Sequence, residues 1–183
     1  LFTNHYQDHL DLHGSMENYF AEKKKLQERS RFRVVNLDNP WTQTLAGGPQ
    51  TWSYGAQGDW RLQHLEESSS GLSFEVVSPI GSFPVQLPML GRFNAENALA
   101  ALAAASRMGL TVAQLQAGLA SFTGVPGRMQ LVQREPFRVV VDFAHTGASL
   151  EAALQTLRPT TQNRLLVVIG AAETQDQSRR TGI

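Results

Sequence analysis

Alternating apolar and polar stretches in the first forty residues predict a strand, a helix and a second strand. Residues 1–4 are typical of the end of a buried strand that enters a polar loop. A helix is expected to follow, with Ser15 as its N-cap and aromatic residues on its apolar face. The segment 31–38 then predicts a short strand, which the turn-forming pair Asn39-Pro40 is expected to end.

The middle of the chain changes from strand signals to helix signals. Residues 52–90 are β-rich, and their last two strands are expected to form a hairpin through Pro79 and Gly81. Residues 91–109 are rich in alanine and leucine and predict the strongest helix of the chain, closed by a glycine. Thr111 is expected to cap a second helix.

The last fifty residues predict a new structural unit. An apolar strand (137–145), an amphipathic helix (147–159) and a second apolar strand (164–170) follow one another. This order implies a parallel sheet with a right-handed crossover. We therefore expect an α/β protein with a first domain over 1–134, containing a parallel sheet, helices and a small β-rich region. The second domain, over 135–183, begins with a β-α-β unit.

Composition narrows the classes of function. The chain has 16 basic and 16 acidic residues and no dense basic stripe, which argues against a nucleic-acid partner. The lysine run 23–25 is typical of a solvated helix face. The chain has no cysteine, which excludes disulfides and thiolate chemistry. This absence fits a protein of a reducing compartment. No apolar stretch reaches the roughly 20 residues that cross a bilayer. We expect a cytoplasmic piece of a longer protein.

A cluster of carboxylates and imidazoles follows the first predicted strand. It comprises Asp8, His9, Asp11 and His13. Such side chains at the carboxyl end of a strand lie where α/β sheets bind ligands, and both kinds can bind a divalent metal. The residues alone leave two interpretations open: a metal or phosphate site, or a polar loop that caps the next helix.

Two further groups of residues are candidates for a functional site. Asn94 and Asn97 lie on one face of a helix start, where their amides could bind an adenine edge or could cap the helix. Arg128 lies in a Gly-Pro loop, a common position for a surface arginine. Asp142 and His145 follow an apolar strand, which favours a functional role more strongly.

Three segments carry a resemblance to a known family. They read FTNHYQDHLDLHGSMENYF, GRFNAENALAAL, and PGRMQLV with VVVDFAHT. They resemble the Mur ligases, the MurE type in particular, whose patterns read roughly FTNLxxDHLDYHGTMExY, GRFNxxNALAA and DYAHT. The resemblance is collinear from Phe2 to about Arg180 and so covers nearly the whole chain.

The resemblance implies ATP and a magnesium ion as cofactors. It implies that His9 binds the magnesium and that Lys23, as a carbamate, supplies oxygen ligands to it. It also implies that Asn94 and Asn97 contact the adenine. The other nucleotide contacts that it implies lie near the expected domain boundary: Arg128, Asp142 and His145.

The function implied is ATP-dependent amide-bond formation in peptidoglycan synthesis. A carboxylate of UDP-MurNAc-L-Ala-D-Glu takes a phosphoryl group from ATP, and a diamino acid then attacks the acyl phosphate. Two alternatives stay open. One is another Mur-like ligase, such as a folylpolyglutamate synthase relative; the other is a nucleotide-binding or interaction module that has lost catalysis.

Two departures from the family pattern concern the acceptor side. Residues 147–149 read Gly-Ala-Ser where the pattern HTPDAL has a proline and an aspartate. Gln175 replaces an arginine that binds the incoming amino acid in diaminopimelate-adding members, and an amide cannot form a bidentate ion pair with a carboxylate. The third amino acid could therefore be diaminopimelate, lysine or another diamine. Because the family's phosphate loop lies upstream, we expect the isolated chain to be inactive.

Overall fold

The computed structural model describes residues 1–68 and 70–170, which form a mixed α/β structure as predicted. The helices are α1 (Leu10–His13), α2 (Met16–Glu28), α3 (Pro40–Gln43), α4 (Arg92–Arg107), α5 (Val112–Ala120) and α6 (Gly147–Leu157), which a 3-10 turn (Arg158–Thr160) extends. The strands are β1 (Arg33–Asn36), β2 (Thr51–Tyr54), β3 (Arg61–Ser68), β4 (Gly71–Ser78), β5 (Gly81–Leu87), β6 (Gln130–Gln133) and β7 (Val139–Val141). No helix in these ranges is long and apolar enough to cross a membrane.

A small parallel sheet begins the fold. β1 pairs with β2 in parallel, and Phe2 adds a third segment through a parallel bridge to Val35. The Phe2 amide donates to the Val34 carbonyl at 2.8 Å, and the Phe2 carbonyl accepts from the Asn36 amide at 3.1 Å. The carboxyl ends of all three segments therefore lie at one edge, the edge where α/β sheets bind ligands.

The pair Asn39-Pro40 starts a helix rather than a simple turn, which corrects the prediction. The side-chain oxygen of Asn39 accepts hydrogen bonds from the amides of Trp41 and Thr42, at 3.1 and 3.2 Å. Pro40 occupies the first turn of α3, where its missing N–H leaves no helical hydrogen bond unmade. The same two residue types suit a turn and a helix N-terminus, so their sequence alone did not separate the two.

Strands β3, β4 and β5 form an antiparallel sheet, and the predicted hairpin joins β4 to β5. The register places Ser78 opposite Gly81 at the end of this hairpin. Along β5, buried residues alternate with exposed ones, because successive side chains point to opposite faces of a strand. The buried face packs against helices α4 and α5.

Helix α4 joins the two sheets. Its alanine-rich sequence favours helix, and its small side chains let the backbone approach its neighbours closely. It contacts β1 and β2 on one side and β3 and β4 on the other. The predicted cap of the next helix is confirmed, since the Thr111 hydroxyl accepts from the amide of Gln114 and the Gln114 side chain accepts from the amide of Thr111. The largest fully buried side chains of the core around α4 are Trp60, Leu72, Leu99 and Leu102.

The predicted β-α-β unit is formed only in part. Its first strand, β7, pairs antiparallel with β6, and α6 follows as expected, with Thr146 as its N-cap. Residues 161–170, however, contain no strand, and Val168 is fully exposed. A strand needs a hydrogen-bonded neighbour, and the described residues bring none to this segment. The expected boundary between residues 134 and 135 falls within the β6–β7 hairpin and stays a prediction.

Gly58 provides a test of the packing against Tyr54, at the carboxyl end of β2. A Cβ at this glycine would lie 2.5–2.8 Å from backbone atoms of Tyr54, whereas a Cβ at Gly118 in α5 would meet nothing within 4 Å. We expect Gly58→Ala to lower the free energy of unfolding by about 1–3 kcal/mol, the usual cost of overpacking. Gly118→Ala should keep or raise it, because alanine favours helix. Urea unfolding measures both, and equal midpoints for the two variants would contradict the described close approach.

Candidate functional site

A cavity of about 940 Å³ lies at the carboxyl edge of the parallel sheet. Its wall combines residues after the first strand, one face of α2, the first turns of α4, the loop before β6 and the segment from β7 to α6. Six of the seven site residues predicted from the sequence lie in this wall: Lys23, Asn94, Asn97, Arg128, Asp142 and His145. Residues far apart in the sequence thus meet around one space.

His9, the seventh predicted residue, lies beside the cavity rather than in its wall, to which its neighbour Asp8 contributes. Its backbone has a left-handed φ of 54°, and it precedes the short helix α1. Its Nε2 is 3.3 Å from Oδ2 of Asp8, and its amide donates to Oδ1 of Asp8 at 3.0 Å. The imidazole is half exposed, at 48%, so an incoming ligand can reach it.

Within the lysine run, Lys23 alone lines the cavity. Its Nζ lies over the ring of Tyr19, 4.5 Å from the centroid. Lys25 points to the opposite side and forms an exposed ion pair with Glu22 at 2.5 Å, and Lys24 is exposed. The structure therefore separates Lys23 from the solvated face on which its neighbours lie.

The two asparagines of α4 differ in their surroundings. Asn94 is buried, and its side-chain amide donates to the Leu90 carbonyl at 2.7 Å, so it ties the helix start to the preceding loop. Asn97 is exposed one turn later, and its side chain makes no hydrogen bond to the described part of the chain. Asn97 therefore has both an acceptor and two donors available to a ligand, whereas Asn94 has already used one donor.

Arg128 and His145 meet at the ring of Phe143. The Arg128 guanidinium lies over this ring, 4.6 Å from its centroid, a cation–π contact. The Nδ1 of His145 is 2.9 Å from the Phe143 carbonyl. Since a carbonyl only accepts, this bond requires a proton on Nδ1. The His145 ring also lies against the Phe143 ring, with centroids 4.9 Å apart. Two polar groups on either side of the expected domain boundary thus contact one exposed aromatic ring.

The carboxylate of Asp142 is held by backbone amides. Its Oδ2 accepts from the Met129 amide, and its Oδ1 accepts from the Ala144 amide, both at 2.7 Å. These bonds join the loop after Arg128 to the end of β7. Each oxygen keeps a further lone pair, so Asp142 can still accept a hydrogen bond or contact a cation.

Comparison with protein families agrees with this arrangement. The Mur ligase middle domain matches residues 1–105, and the Mur ligase glutamate ligase domain matches residues 127–183. The chain belongs to the Mur ligase family. The resemblance found in the sequence is thereby confirmed, and both matched ranges contribute residues to the cavity wall.

Individual relatives extend this comparison. The UDP-N-acetylmuramyl-tripeptide synthetase of Deinococcus radiodurans is 57% identical over 179 residues, which cover 94% of this chain and 36% of that protein. A solved UDP-N-acetylmuramoyl-L-alanyl-D-glutamate–2,6-diaminopimelate ligase is 34% identical, with a TM-score of 0.72 over 98% of this chain and 39% of that one. The FPGS-AMPPCP-folate complex has a TM-score of 0.82 over 98% of this chain and 46% of that one; at 18% identity it shares the fold alone. This Mur ligase chain thus spans little more than a third of the first two relatives.

The donor groups of this Mur ligase chain suit a magnesium ion that keeps much of its water and binds phosphate oxygens. Magnesium sites of that kind use only one or two protein carboxylates. Among the described residues no three His, Cys, Asp or Glu side chains converge as a ready metal cage. His9 and Asp8 bring a nitrogen and an oxygen within 3.3 Å of each other, and a carbamate on Lys23 would add the hard oxygen donors that magnesium prefers.

Two aromatic residues of the site were not singled out as functional from the sequence. The sequence pattern predicts only an apolar helix face for Tyr19, although its spacing of four residues from Lys23 places both side chains on one side of α2. Phe143 lies in the segment VVVDFAHT, where the pattern gives it no signal of its own. Both lie in the cavity wall under a cationic side chain. A cation–π contact depends on spatial proximity, and only for Tyr19 did the sequence spacing give a signal.

The structure describes one of the two segments that depart from the family pattern on the acceptor side. Gly147 and Ala148 stand where the family has a proline and an aspartate. Thr146 and Ser149, on either side of them, form a capping box, so helix α6 still has a satisfied N-terminus. Gln175 and the rest of the acceptor loop, 171–176, lie outside the described residues.

His5 is a buried histidine that the family pattern, with leucine at this position, does not contain. It is 2% exposed and lies among the rings of Tyr19, Phe20 and Trp41. Its Nε2 is 3.1 Å from the carbonyl of Met16, at the first turn of α2. Its Nδ1 has no hydrogen-bond partner among the described residues. Burial lowers the pKa of His5, the Met16 carbonyl acts in the opposite direction, and the charge of Lys23 lowers it further.

The lowered pKa of His5 gives stability a defined pH dependence. Between the folded pKa and the ordinary value near 6.5, the unfolded chain binds more protons, so this contribution to stability is lost as the pH falls. We expect His5→Leu to remove that loss, so that the variant gains stability over the native protein below about pH 6.5. Urea midpoints from pH 5 to 8 measure this. A constant difference between the two proteins across that range would contradict it.

Proposed function

We propose that the protein containing this chain is an ATP-dependent ligase of the MurE type. It adds a diamino acid to UDP-MurNAc-L-Ala-D-Glu in peptidoglycan synthesis. The observation that carries this proposal is the meeting of Lys23, the α4 asparagines and Arg128 around one cavity. The relative from Deinococcus radiodurans, named a tripeptide synthetase, supports the MurE type over other Mur ligases.

The nucleotide is proposed to lie between α4 and the segment around β7. Asn97, whose amide is available, contacts the adenine edge, and Asn94 does so with its carbonyl oxygen while holding the helix start. Arg128 binds phosphate oxygens, with its guanidinium oriented by the ring of Phe143. Asp142 and His145 complete the contacts on the far side of the hinge, where domain closure would exclude water from a reactive intermediate.

The metal side of the site is proposed to consist of His9 and Lys23. The neutral amine of Lys23 adds carbon dioxide and releases a proton, which gives a carbamate with two hard oxygen donors. A bound magnesium ion neutralises phosphate charge during transfer. His9 approaches the same region from the start of α1, with Asp8 fixing its backbone amide and lying against its imidazole.

The proposed reaction consists of a phosphoryl transfer followed by an acyl transfer. The substrate carboxylate attacks the γ-phosphorus of ATP, the bond to ADP breaks, and an acyl phosphate forms. The amine of the third amino acid then attacks the acyl carbon. The bond between that carbon and the phosphate oxygen breaks, phosphate leaves, and the amine loses a proton. These steps require positioning and charge neutralisation more than covalent chemistry by the protein. We place the enzyme in the cytoplasm; the lack of cysteine fits that compartment.

Two alternatives make different predictions for the whole protein. A nucleotide-binding module without catalysis would bind ATP–Mg in isothermal titration but release no phosphate when the UDP-linked dipeptide and a diamino acid are added. A folylpolyglutamate synthase relative would release phosphate with a folate acceptor instead. The MurE proposal requires phosphate release that depends on the UDP-linked dipeptide, and a panel of diamino acids in the same assay identifies the third residue.

The role of His9 is tested by His9→Ala in the whole protein. Loss of the imidazole should lower substrate-dependent phosphate release by roughly 100-fold or more, because the site loses a metal ligand. His64→Ala is the matched control, since His64 is an exposed histidine of β3 away from the cavity. Unchanged turnover in His9→Ala would refute the metal role.

The lysine assignment has an internal control in the neighbouring residue. Lys23→Ala should reduce phosphate release by roughly 100-fold, whereas Lys24→Ala should leave it unchanged, because Lys24 is exposed and outside the cavity wall. Carbon-13 NMR with labelled carbon dioxide should show a carbamate signal in the native protein and in Lys24→Ala but not in Lys23→Ala. Similar activity losses in both variants would argue against a specific role for Lys23.

A further inference from the structure

The ring of Tyr19 lies at the centre of a group of imidazoles and one amine. The His13 ring stacks on it, with centroids 4.9 Å apart and planes 19° apart. The His9 ring meets it edge-on at 6.0 Å and 81°, and the His5 ring lies tilted at 4.7 Å. The amine of Lys23 lies 4.5 Å from its centroid. The ring of Tyr19 therefore lies next to all three of these histidines and next to Lys23, the lysine proposed to support the metal.

Local hydrogen bonds hold this group in place. Ser15 caps α2 by accepting from the Asn18 amide, and the Asn18 side chain donates to the His13 carbonyl at 3.1 Å. The capped helix start thus fixes the short segment that carries His9 and His13 against the α2 face that carries Tyr19. The spacing of four residues then places Lys23 over the same ring.

The ring of Tyr19, rather than its hydroxyl, makes these contacts. The hydroxyl has no hydrogen-bond partner among the described residues, although the side chain is half-buried in the cavity wall. His9, by contrast, is half exposed, and its Nε2 lies 3.3 Å from the carboxylate of Asp8. The Tyr19 ring is thus the contact that the His9 and Lys23 side chains share, and Asp8 adds a second contact to His9.

We propose that Tyr19 is a positioning residue whose ring orients His9 and Lys23 toward the cavity. The proposal rests on the ligase function proposed above. The negative face of the ring attracts the Lys23 ammonium. It would repel a carbamate on the same side chain, which directs the carbamate oxygens away from the ring and into the cavity. The ring thus favours a productive direction for the donor groups on the metal side.

The first test needs neither metal nor nucleotide. In the whole protein with labelled histidine, NMR should show His13 ring protons shifted upfield by the stacked Tyr19 ring, with His13→Gln used to assign them. Tyr19→Phe keeps the ring and should keep the shift, whereas Tyr19→Leu should lose it. Tyr19→Met supplies a second ring-free side chain if the leucine variant does not fold. Retention of the shift in the ring-free variants would overturn the described stacking.

The second test measures the magnesium requirement of substrate-dependent phosphate release. Tyr19→Leu should raise the magnesium concentration for half-maximal rate by roughly tenfold, the usual effect of losing a residue that supports a metal ligand. Tyr19→Phe should restore the native requirement. Phe20→Leu is the matched control, because Phe20 lies on the same helix against His5 and Trp41 and makes no ring contact with His9 or Lys23.

The outcomes separate this inference from the proposed function. Equal magnesium requirements for Tyr19→Leu and Tyr19→Phe, with activity still lost in His9→Ala, would overturn the positioning role and leave the ligase proposal standing. Full activity in His9→Ala would instead overturn the metal assignment. In that case the metal-free NMR comparison still decides whether the Tyr19 ring orders the histidines.

Discussion

The packing of helix α4 between two sheets is the contact on which the arrangement of the site depends. Its buried alanines carry little side-chain bulk, so the helix backbone can lie close to both the parallel strands and the antiparallel sheet. A larger side chain at Ala100 or Ala103, both 0% exposed, would have to displace a sheet. Because α4 is fixed in this way, its first two turns present Asn94 and Asn97 at the carboxyl edge of the parallel sheet.

The three sides of the cavity are held by different kinds of contact. The α4 side rests on extensive apolar burial, around Trp60 and Leu99. The side with His9 and Lys23 rests on rings and caps around Tyr19, and the side near the expected domain boundary rests on the Asp142 bonds and the Arg128–Phe143 contact. Single contacts of these kinds contribute about 1 kcal/mol or less each. The α4 side is therefore the rigid frame, and the other two sides are the parts able to adjust around a ligand.

Local signals in the sequence predicted most of the elements that position the site. Ser15 and Thr111 each cap a helix as expected, because a hydroxyl before an apolar helix has a local partner three residues on. The pair Asn39-Pro40 was misjudged, since it suits both a turn and a helix start. The strand expected at 164–170 depends on a neighbour that no local pattern specifies. Elements were predictable where their partners are near in sequence.

The site itself was predictable only through the resemblance to a family, and the contacts within it were not. Composition and spacing left His9 and the α4 asparagines open between functional and capping roles. The roles of Tyr19 and Phe143 arise from cations brought to their faces by folding. Arg128 and Lys23 line one cavity although more than a hundred residues separate them. This convergence is set by packing around α4, so a change that shifts α4 should displace Asn94 and Asn97 more than His9 and Lys23.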